Sequence, residues 1–226
     1  RYKVYHIPKR GEGTRRIEHP SREIKSLQRW IARVVFARFP IHHAATAYQK
    51  GTGIRENAER HRRTGYTNRY DFMNFFPSFR QERVESFLLE AAEQVGMQLD
   101  EEDIRFVGNI VCRNGRITIG SPSSPVVTNS MMFAFDKNLS NLCDAKNLIY
   151  TRYADDIFIS AHEANRLRNL EPKISDAKRG IPYLSLRLNR RKTTYLSKKY
   201  SRKIAGVVIT PDHRLSIGRD RKREIK

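Results

Sequence analysis

Three aspartates are the residues of this sequence best suited to bind divalent cations. Asp155 and Asp156 are adjacent in YTRYADDIFIS, between β-forming apolar flanks, and Asp71 ends the predicted strand YTNRYD. Adjacent carboxylates repel each other, so together they favour a bound cation or strong hydrogen-bond donors. Mg²⁺ prefers oxygen ligands, and two such ions suit in-line attack at phosphorus. The alternative is structural, because Asp is common in turns, where its side chain bonds nearby backbone amides.

The net charge indicates a polyanionic partner. The 226 residues include 44 Lys and Arg against 24 Asp and Glu, a formal charge of +20. Such a field attracts nucleic acid, although a basic surface without a specific partner is the alternative. The sequence has no apolar run of transmembrane length and no signal-peptide pattern, so we expect no membrane partner. Cys112 and Cys143 lack metal-type spacing, which is typical of reduced thiols in a cytosolic protein.

The order of predicted elements indicates an α+β fold, with an antiparallel sheet backed by helices. Alternation and turn residues predict strands or hairpins at 2–7 with 14–20, 66–73, 113–120, 146–160, 183–197 and 202–217. Apolar spacing predicts helices at 21–40, 54–62, 80–96, 103–112, 126–142 and 165–178. The adjacent aspartates fall in the turn of the hairpin at 146–160, where the flanking strands would hold them rigidly.

Several motifs resemble those of reverse transcriptases, in the same order along nearly the whole chain. YTRYADDIFIS resembles their Y-x-D-D hairpin, and DFMNFF resembles their first catalytic-aspartate motif. GSPSSPVVTNSMM and LRLNRRKT resemble their glycine-proline and N-x-x-K-T motifs. The resemblance implies a right-hand polymerase with fingers at 1–65, a palm at 66–203, and a palm–thumb junction at 204–226. Most of the thumb would be absent, and we expect the natural protein to be longer at both ends.

The resemblance also implies a catalytic site with two Mg²⁺ ions. Asp71 and Asp155 would bridge both ions, and Asp156 would complete one of the two coordination shells. The backbone carbonyl of Phe72 would help to hold the ion on the nucleotide side.

Five residues fall on nucleotide-binding positions of the family: Lys9, Arg15, Phe76, Gly120 and Lys192. The first two would contact the triphosphate of a dNTP, and Lys192 would assist the leaving pyrophosphate. Phe76 occupies the steric-gate position, where a ring crowds the 2′-hydroxyl of a ribonucleotide; the alternative is a core phenylalanine. Ile119 replaces a glutamine that the family often has beside Gly120, a departure that bears on nucleotide binding.

More narrowly, the chain is similar to bacterial retron reverse transcriptases. IPKRGEGTRRI with IKSLQRWI resembles their fingers, and NAERH matches their N-A-x-x-H signature. Their V-T-G motif corresponds to Ile204, Ala205 and Gly206 here, which is a departure. RNA binding is implied for Asn57, His61 and Gly206. For Asn57 and His61, the alternative to RNA binding is that they pack the fingers onto the palm.

The retron resemblance implies a specific reaction and setting. The enzyme would use a cognate non-coding RNA as template and primer, start from a 2′-hydroxyl, and leave branched RNA–DNA (msDNA). It would act in the bacterial cytoplasm in anti-phage defence, with a toxic effector protein as partner. Two alternatives stay open: a defence polymerase with little or no template dependence, and a non-catalytic RNA-binding scaffold. The three intact aspartates argue against the scaffold.

Overall fold

The computed structural model describes residues 2–9 and 13–218. The helices of this part of the chain are α1 (Arg22–Val34), α2 (Ile54–His61), α3 (Phe75–Ser78), α4 (Gln81–Ala91), α5 (Glu101–Val111), α6 (Ser124–Met131), α7 (Phe133–Asp144) and α8 (Leu170–Asp176). Its strands are β1 (Tyr2–Pro8), β2 (Thr14–Pro20), β3 (Tyr66–Asp71), β4 (Cys112–Arg113), β5 (Arg116–Ile117), β6 (Ile149–Tyr153), β7 (Asp156–Ala161), β8 (Thr194–Ser197), β9 (Arg202–Ile204), β10 (Val207–Ile209) and β11 (Leu215–Ser216). Within these residues, no helix is both long and apolar enough to span a bilayer.

A four-stranded antiparallel sheet positions the three aspartates. Its strand order is β6-β7-β3-β8, and β7 pairs with β3 from Ala161 opposite Tyr66 to Asp156 opposite Asp71. Ile157, Phe158 and Ile159 of β7 are fully buried, as expected for an apolar central strand. The α+β class and the hairpin of β6 and β7 are therefore confirmed.

The chain forms two compact units, and both are discontinuous in sequence. Unit one comprises Arg1–Ile41, Asn74–Phe133 and Gly180–Leu186, and unit two comprises His42–Met73, Ala134–Arg179 and Arg187–Lys226. The fingers, palm and junction were expected as contiguous segments, and their boundaries stay a prediction. Residues 219–226, the end of the expected junction, lie outside the described residues.

Unit one contains the β1–β2 hairpin, α1, α3 to α6 and the β4–β5 hairpin. The fully buried amide of Gln28 connects three of these segments. Its Nε2 donates to the Tyr2 hydroxyl at 3.0 Å, to the carbonyl oxygen of Ile110 at 2.9 Å and to Ser121 Oγ at 3.3 Å. This one side chain therefore joins α1 to β1, to α5 and to the segment before α6.

Unit two contains the four-stranded sheet, α2, α7, α8 and a small sheet of β9, β10 and β11 in the order β11-β10-β9. An apolar cluster joins α2 to β7 and to the small sheet. It consists of buried Ala58, Phe158, Ile204, Val207 and Ile209. Helix α2 thus packs against both the hairpin that contains the aspartates and the small sheet.

Two predicted helices are interrupted in the structure, each for a local reason. The helix predicted at 126–142 is divided into α6 and α7, because Thr128 and Ser130 return hydroxyl hydrogen bonds to carbonyls of the preceding turn. The helix predicted at 165–178 is divided at Asn169, which has φ +56° in the left-handed region. A 3₁₀ turn, Ala164–Leu167, precedes it, and α8 follows.

Two further predictions differ in extent. The helix predicted at 80–96 ends as α4 at Ala91 and continues as a 3₁₀ turn, which Gly96 terminates with φ +68°. Of the strand predicted at 183–197, only β8 forms, because Arg190–Lys192 is a 3₁₀ turn. That turn matters for the site, since it presents Lys192 to Asp71.

Candidate active site

The two central strands bring the aspartate positions together. Asp71 is the last residue of β3 and Asp156 is the first of β7, and their Cα atoms are cross-strand partners. Asp155 lies in the turn before β7, where its carbonyl oxygen accepts from the Phe72 amide at 3.1 Å. The turn begins at Ala154, whose φ of +55° is in the left-handed region. The backbone therefore fixes three carboxylate-bearing positions at one end of the sheet.

Basic side chains neutralise two of these carboxylates in the structure. Lys192 Nζ lies 3.1 and 3.0 Å from the two carboxylate oxygens of Asp71, which is 2% exposed. Arg69 donates from Nε and Nη2 to Asp156 Oδ1 at 3.0 and 2.9 Å. Among residues 2–9 and 13–218, no three acidic, His or Cys side chains converge as a ready metal-binding group. Arg69 was not predicted as a site residue.

The donor set nevertheless fits a hard divalent cation. Burial raises the pKa of Asp156 to about 6, with the charges of Asp155 and Asp71 acting in the same direction and Arg69 opposing them. A buried carboxyl group beside two other acidic residues therefore favours additional positive charge at this end of the sheet. Oxygen ligands of this kind are those that Mg²⁺ prefers. Ion binding would require the Asp71 carboxylate to exchange Lys192 for the cation.

The segment that contains the N-x-x-K motif is bonded to the end of β3. The Asn189 amide donates to the carbonyl oxygen of Asp71 at 2.7 Å, and the Met73 amide donates to that of Arg187 at 2.9 Å. The following 3₁₀ turn brings Lys192, three residues after Asn189, to the Asp71 carboxylate. The spacing of this motif therefore has a structural explanation within unit two.

A buried ion pair supports the turn that contains Asp155. Arg152 of β6 and Asp136 of α7 are both fully buried and lie 2.6 Å apart, from Nη2 to Oδ2. Arg152 Nη1 also donates to the carbonyl oxygen of Ala154 at 3.1 Å, and the Tyr150 hydroxyl donates to Asp136 at 2.6 Å. The pair thus connects α7 to the turn. The sequence analysis did not predict this ion pair, although Arg152 is a charged residue within the otherwise uncharged, β-forming segment YTRY.

The NAERH residues lie inside unit two. Asn57 and His61 are one turn apart on α2, and both are fully buried. His61 Nδ1 lies 2.7 Å from Ser160 Oγ of β7, and Nε2 lies 2.7 Å from Thr151 Oγ1 of β6. Because Thr151 donates its hydroxyl proton to Asn57, it accepts from Nε2–H, and Nδ1 accepts from Ser160. A neutral His61 therefore joins α2 to both strands of the β6–β7 hairpin.

Arg202 continues this buried set of hydrogen bonds into the small sheet. Its Nη1 donates to Thr67 Oγ1 of β3 at 3.0 Å, and Thr67 Oγ1 lies 2.7 Å from Ser160 Oγ. Its Nη1 and Nη2 also donate to the carbonyl oxygens of His61 at 3.3 Å and Arg62 at 3.1 Å. A cation at the last carbonyls of a helix interacts favourably with the helix dipole. Arg202 was not predicted as a functional residue.

The surroundings of Asn57 and His61 favour the packing role over direct contact with RNA. Neither side chain is accessible in this structure, so contact with RNA would require α2 to leave the sheet. Gly206 has φ +90° and follows Ala205 at φ +46°, so the two residues form the tight turn between β9 and β10. RNA binding by these three residues stays a prediction.

We expect the buried His61 to make stability pH-dependent. Burial, and then the charges of Arg202 and Arg60, lower the pKa of His61 from 6.5 to about 3. Below pH 6.5 the His61 side chain is therefore protonated in the unfolded chain but stays neutral in the folded chain. The free energy of unfolding consequently falls as pH falls from 6.5 to 3. The free energy of unfolding should fall by about 2 kcal/mol more between pH 7 and pH 5 in the natural protein than in His61→Gln. Urea titrations at both values measure this difference, and equal losses in the two proteins would contradict it.

Four of the predicted nucleotide-binding residues lie in unit one: Lys9, Arg15, Phe76 and Gly120. Lys9 and Arg15 are exposed on the β1–β2 hairpin. Phe76 is half-buried in α3, with its ring centroid 5.3 Å from that of Phe75. Gly120 has φ +114°, and a Cβ there would lie 3.0 Å from the carbonyl oxygen of Glu18. Gly120 is thus explained by a close approach to β2, and all four nucleotide-binding roles stay predictions.

Comparisons with known proteins agree on the family of this chain. A family model described as "Reverse transcriptase (RNA-dependent DNA polymerase)" matches residues 7–209. The chain is 34% identical to the retron Ec83 reverse transcriptase of Escherichia coli, and the aligned region covers 99% of this chain and 73% of that protein. It is 28% identical to the retron Ec86 reverse transcriptase of the same organism, and the aligned region covers 100% of this chain and 68% of that protein.

Solved structures support the fold. Telomerase from Candida albicans, in complex with a fragment of telomeric RNA, matches with a TM-score of 0.65 at 12% identity. Apo telomerase from Candida tropicalis, truncated from the C-terminal domain, matches with a TM-score of 0.59 at 14% identity. This chain is covered to 95% in both cases, but it spans 46% and 54% of those chains, about half of their length. The family model and the retron relatives confirm the resemblance: this chain belongs to the reverse transcriptase family of RNA-dependent DNA polymerases, among relatives that are bacterial retron enzymes.

Proposed function

We propose that this chain is the catalytic core of a retron reverse transcriptase, which copies a cognate non-coding RNA into DNA from dNTPs. The observation that supports this most is the opposition of Asp71 and Asp156 on two central strands, with Asp155 in the adjoining turn. The identity of 34% to a retron reverse transcriptase supports the retron setting.

The three aspartates and the carbonyl oxygen of Phe72 would hold two Mg²⁺ ions. Bound there, such ions would activate the attacking hydroxyl and neutralise charge on the triphosphate. Lys192 lies 3.0 Å from the Asp71 carboxylate and is half-exposed, so its ammonium group stays near the site once Asp71 binds an ion. It would then donate to the oxygens of the leaving pyrophosphate.

Four residues of unit one would bind the incoming dNTP. Lys9 and Arg15 are exposed cations on one hairpin, and the guanidinium of Arg15 suits bidentate contact with phosphate oxygens. Phe76 would exclude the 2′-hydroxyl of ribonucleotides, and Gly120 would leave room for the nucleotide. These roles rest on the family motifs.

The cognate RNA would serve as template and primer. Synthesis would start from a 2′-hydroxyl of this RNA and leave branched RNA–DNA bound to the protein. In the bacterial cytoplasm, the enzyme and its RNA–DNA would hold a toxic effector in check as part of anti-phage defence. The names of the relatives support the retron assignment, and the priming, location and defence role follow from the family resemblance.

Sequencing of the nucleic acid that co-purifies with the protein tests the proposal. We expect one fixed branched RNA–DNA, sensitive to both RNase and DNase and linked at a 2′-hydroxyl. Random or homopolymeric DNA would instead indicate a polymerase with little template dependence. RNA without DNA, under conditions that supply dNTPs and Mg²⁺, would indicate a non-catalytic RNA-binding scaffold. Either of these results would overturn the proposal.

A further inference from the structure

An apolar groove lies between α4 and the start of α5 in unit one. Its volume is about 780 Å³. Four of its lining residues are buried and form the floor: Leu88, Ala92, Met97 and Ile104. Leu89 lies at the rim and is 73% exposed, which is unusual for a leucine on a helix with an apolar buried face. The groove therefore exposes apolar surface that no described residue of its own unit covers.

The charge around this groove is opposite to that of the rest of the chain. Residues 82–103 include one of the 44 basic residues, Arg83, but eight of the 24 acidic residues. These are Glu82, Glu85, Glu90, Glu93, Asp100, Glu101, Glu102 and Asp103. A negative potential repels nucleic acid, so this surface does not suit the polyanion that the remaining charge attracts. It suits a basic partner with apolar side chains.

Helix α1 of the same unit presents the complementary chemistry. Leu27, Trp30 and Val34 are exposed, Trp30 to 49%, and their spacing of three and four residues puts them on one helix face. The helix also contains four basic residues and one acidic residue: Arg22, Lys25, Arg29 and Arg33, with Glu23. Its buried residues, Gln28 and Ile31, follow Leu27 and Trp30 around the helix, so the stripe borders the buried face. The Leu27–Trp30–Val34 stripe is thus apolar, accompanied by basic residues, and exposed among the residues that the structure describes.

We propose that the α4–α5 groove of one molecule binds the α1 stripe of a second copy of this chain. Trp30 would be the central anchor, since buried tryptophans dominate many interfaces. The acidic rim would pair with Arg29 and Arg33, which steers association and makes it sensitive to salt. The contact joins two different surfaces, so it is heterologous and generates a ring or an open filament. The proposal does not depend on the polymerase reaction.

Sedimentation of the purified protein with its co-purifying nucleic acid tests this contact. The groove variant is Leu89→Arg and the stripe variant is Trp30→Asp; both replace exposed residues, so the fold should persist. We expect the natural protein to form species larger than a dimer as its concentration rises, and each variant alone to associate at least tenfold more weakly. Phe106→Asp, on the exposed side of α5 outside the groove lining, should associate like the natural protein.

A mixture of the two variants gives the sharpest result. The groove variant keeps its stripe and the stripe variant keeps its groove, so an equal mixture should form a dimer and nothing larger. A second pair reverses the charges without altering Trp30: Arg29→Glu with Arg33→Glu, and Glu90→Arg with Glu93→Arg. Each of these variants alone should associate weakly, whereas their mixture should assemble beyond a dimer because the two reversed surfaces are again complementary. A natural protein that stays monomeric up to about 200 μM, or mixtures that stay monomeric while it assembles, would overturn the proposal. Loss of bound nucleic acid in Trp30→Asp would also overturn it, because the stripe would then contact nucleic acid.

Discussion

Replacing both adjacent aspartates, Asp155→Asn with Asp156→Asn, should abolish dNTP incorporation on the co-purified RNA. Neutral amides are poor ligands for Mg²⁺, and metal ions supply several kcal/mol of transition-state stabilisation, on the order of 10³-fold in rate. Binding of RNA should remain nearly intact, because the basic surface that attracts it is unchanged. Single-turnover incorporation of labelled dNTP and a filter-binding titration measure the two quantities on one preparation.

The matched control for this double variant is Asp212→Asn. Asp212 is an exposed acidic residue of a turn in the same unit, so the change in charge is similar but remote from the sheet end. Incorporation by this control should equal that of the natural protein. Undiminished synthesis by the double variant would contradict the assignment of Asp155 and Asp156 as catalytic residues. Loss of RNA binding in parallel with synthesis would indicate a folding defect instead.

Removal of the Asp136 carboxylate should destabilise the protein by about 3–5 kcal/mol, because it leaves the Arg152 guanidinium buried without its counter-charge. The ion pair is fully buried, and Arg152 also donates to the Ala154 carbonyl oxygen in the turn that contains Asp155. We therefore expect Asp136→Ala to lose activity at temperatures where it is still folded. Chemical denaturation gives the free energy of unfolding, and incorporation assays below the unfolding transition give the activity.

Two further variants distinguish the effect of leaving a buried charge unpaired from a general perturbation of helix α7. Asp144→Ala, at an exposed position of the same helix, should change the free energy of unfolding by well under 1 kcal/mol. Asp136→Leu with Arg152→Met removes both charges, and we expect it to recover much of the lost stability, as found when buried pairs are replaced by apolar residues. If Asp136→Ala is no less stable than Asp144→Ala, the buried pair does not support the turn as described.

The hairpin of β6 and β7 was predictable because its signals are local. Apolar and β-branched residues flank the two aspartates, and the motif order along the chain identified Asp71 as their companion. The Asn114–Gly115 turn was predictable for the same reason. By contrast, the interruption of a helix at Asn169 depends on a left-handed residue that no apolar spacing reveals.

The partners of the site residues could not be predicted, because they are distant in sequence. Lys192 is 121 residues from Asp71, and Arg69 is 87 residues from Asp156. In a chain with 44 basic residues, sequence alone does not distinguish a lysine or arginine that binds a carboxylate from one on the surface. The same holds for Arg202, whose buried environment depends on the packing of the small sheet against α2.

The most direct test of a metal-dependent polymerase site at the three aspartates is the dependence of DNA synthesis on divalent cations and on Asp71. Incorporation of labelled dNTP on the co-purified RNA would be measured with Mg²⁺, after chelation by EDTA, and after Mg²⁺ is restored. We predict that the natural protein loses synthesis on chelation and regains it with Mg²⁺, while Asp71→Asn stays inactive throughout with its RNA still bound. Synthesis that persists after chelation, or an Asp71→Asn protein as active as the natural one, would contradict a metal-dependent polymerase site at these carboxylates.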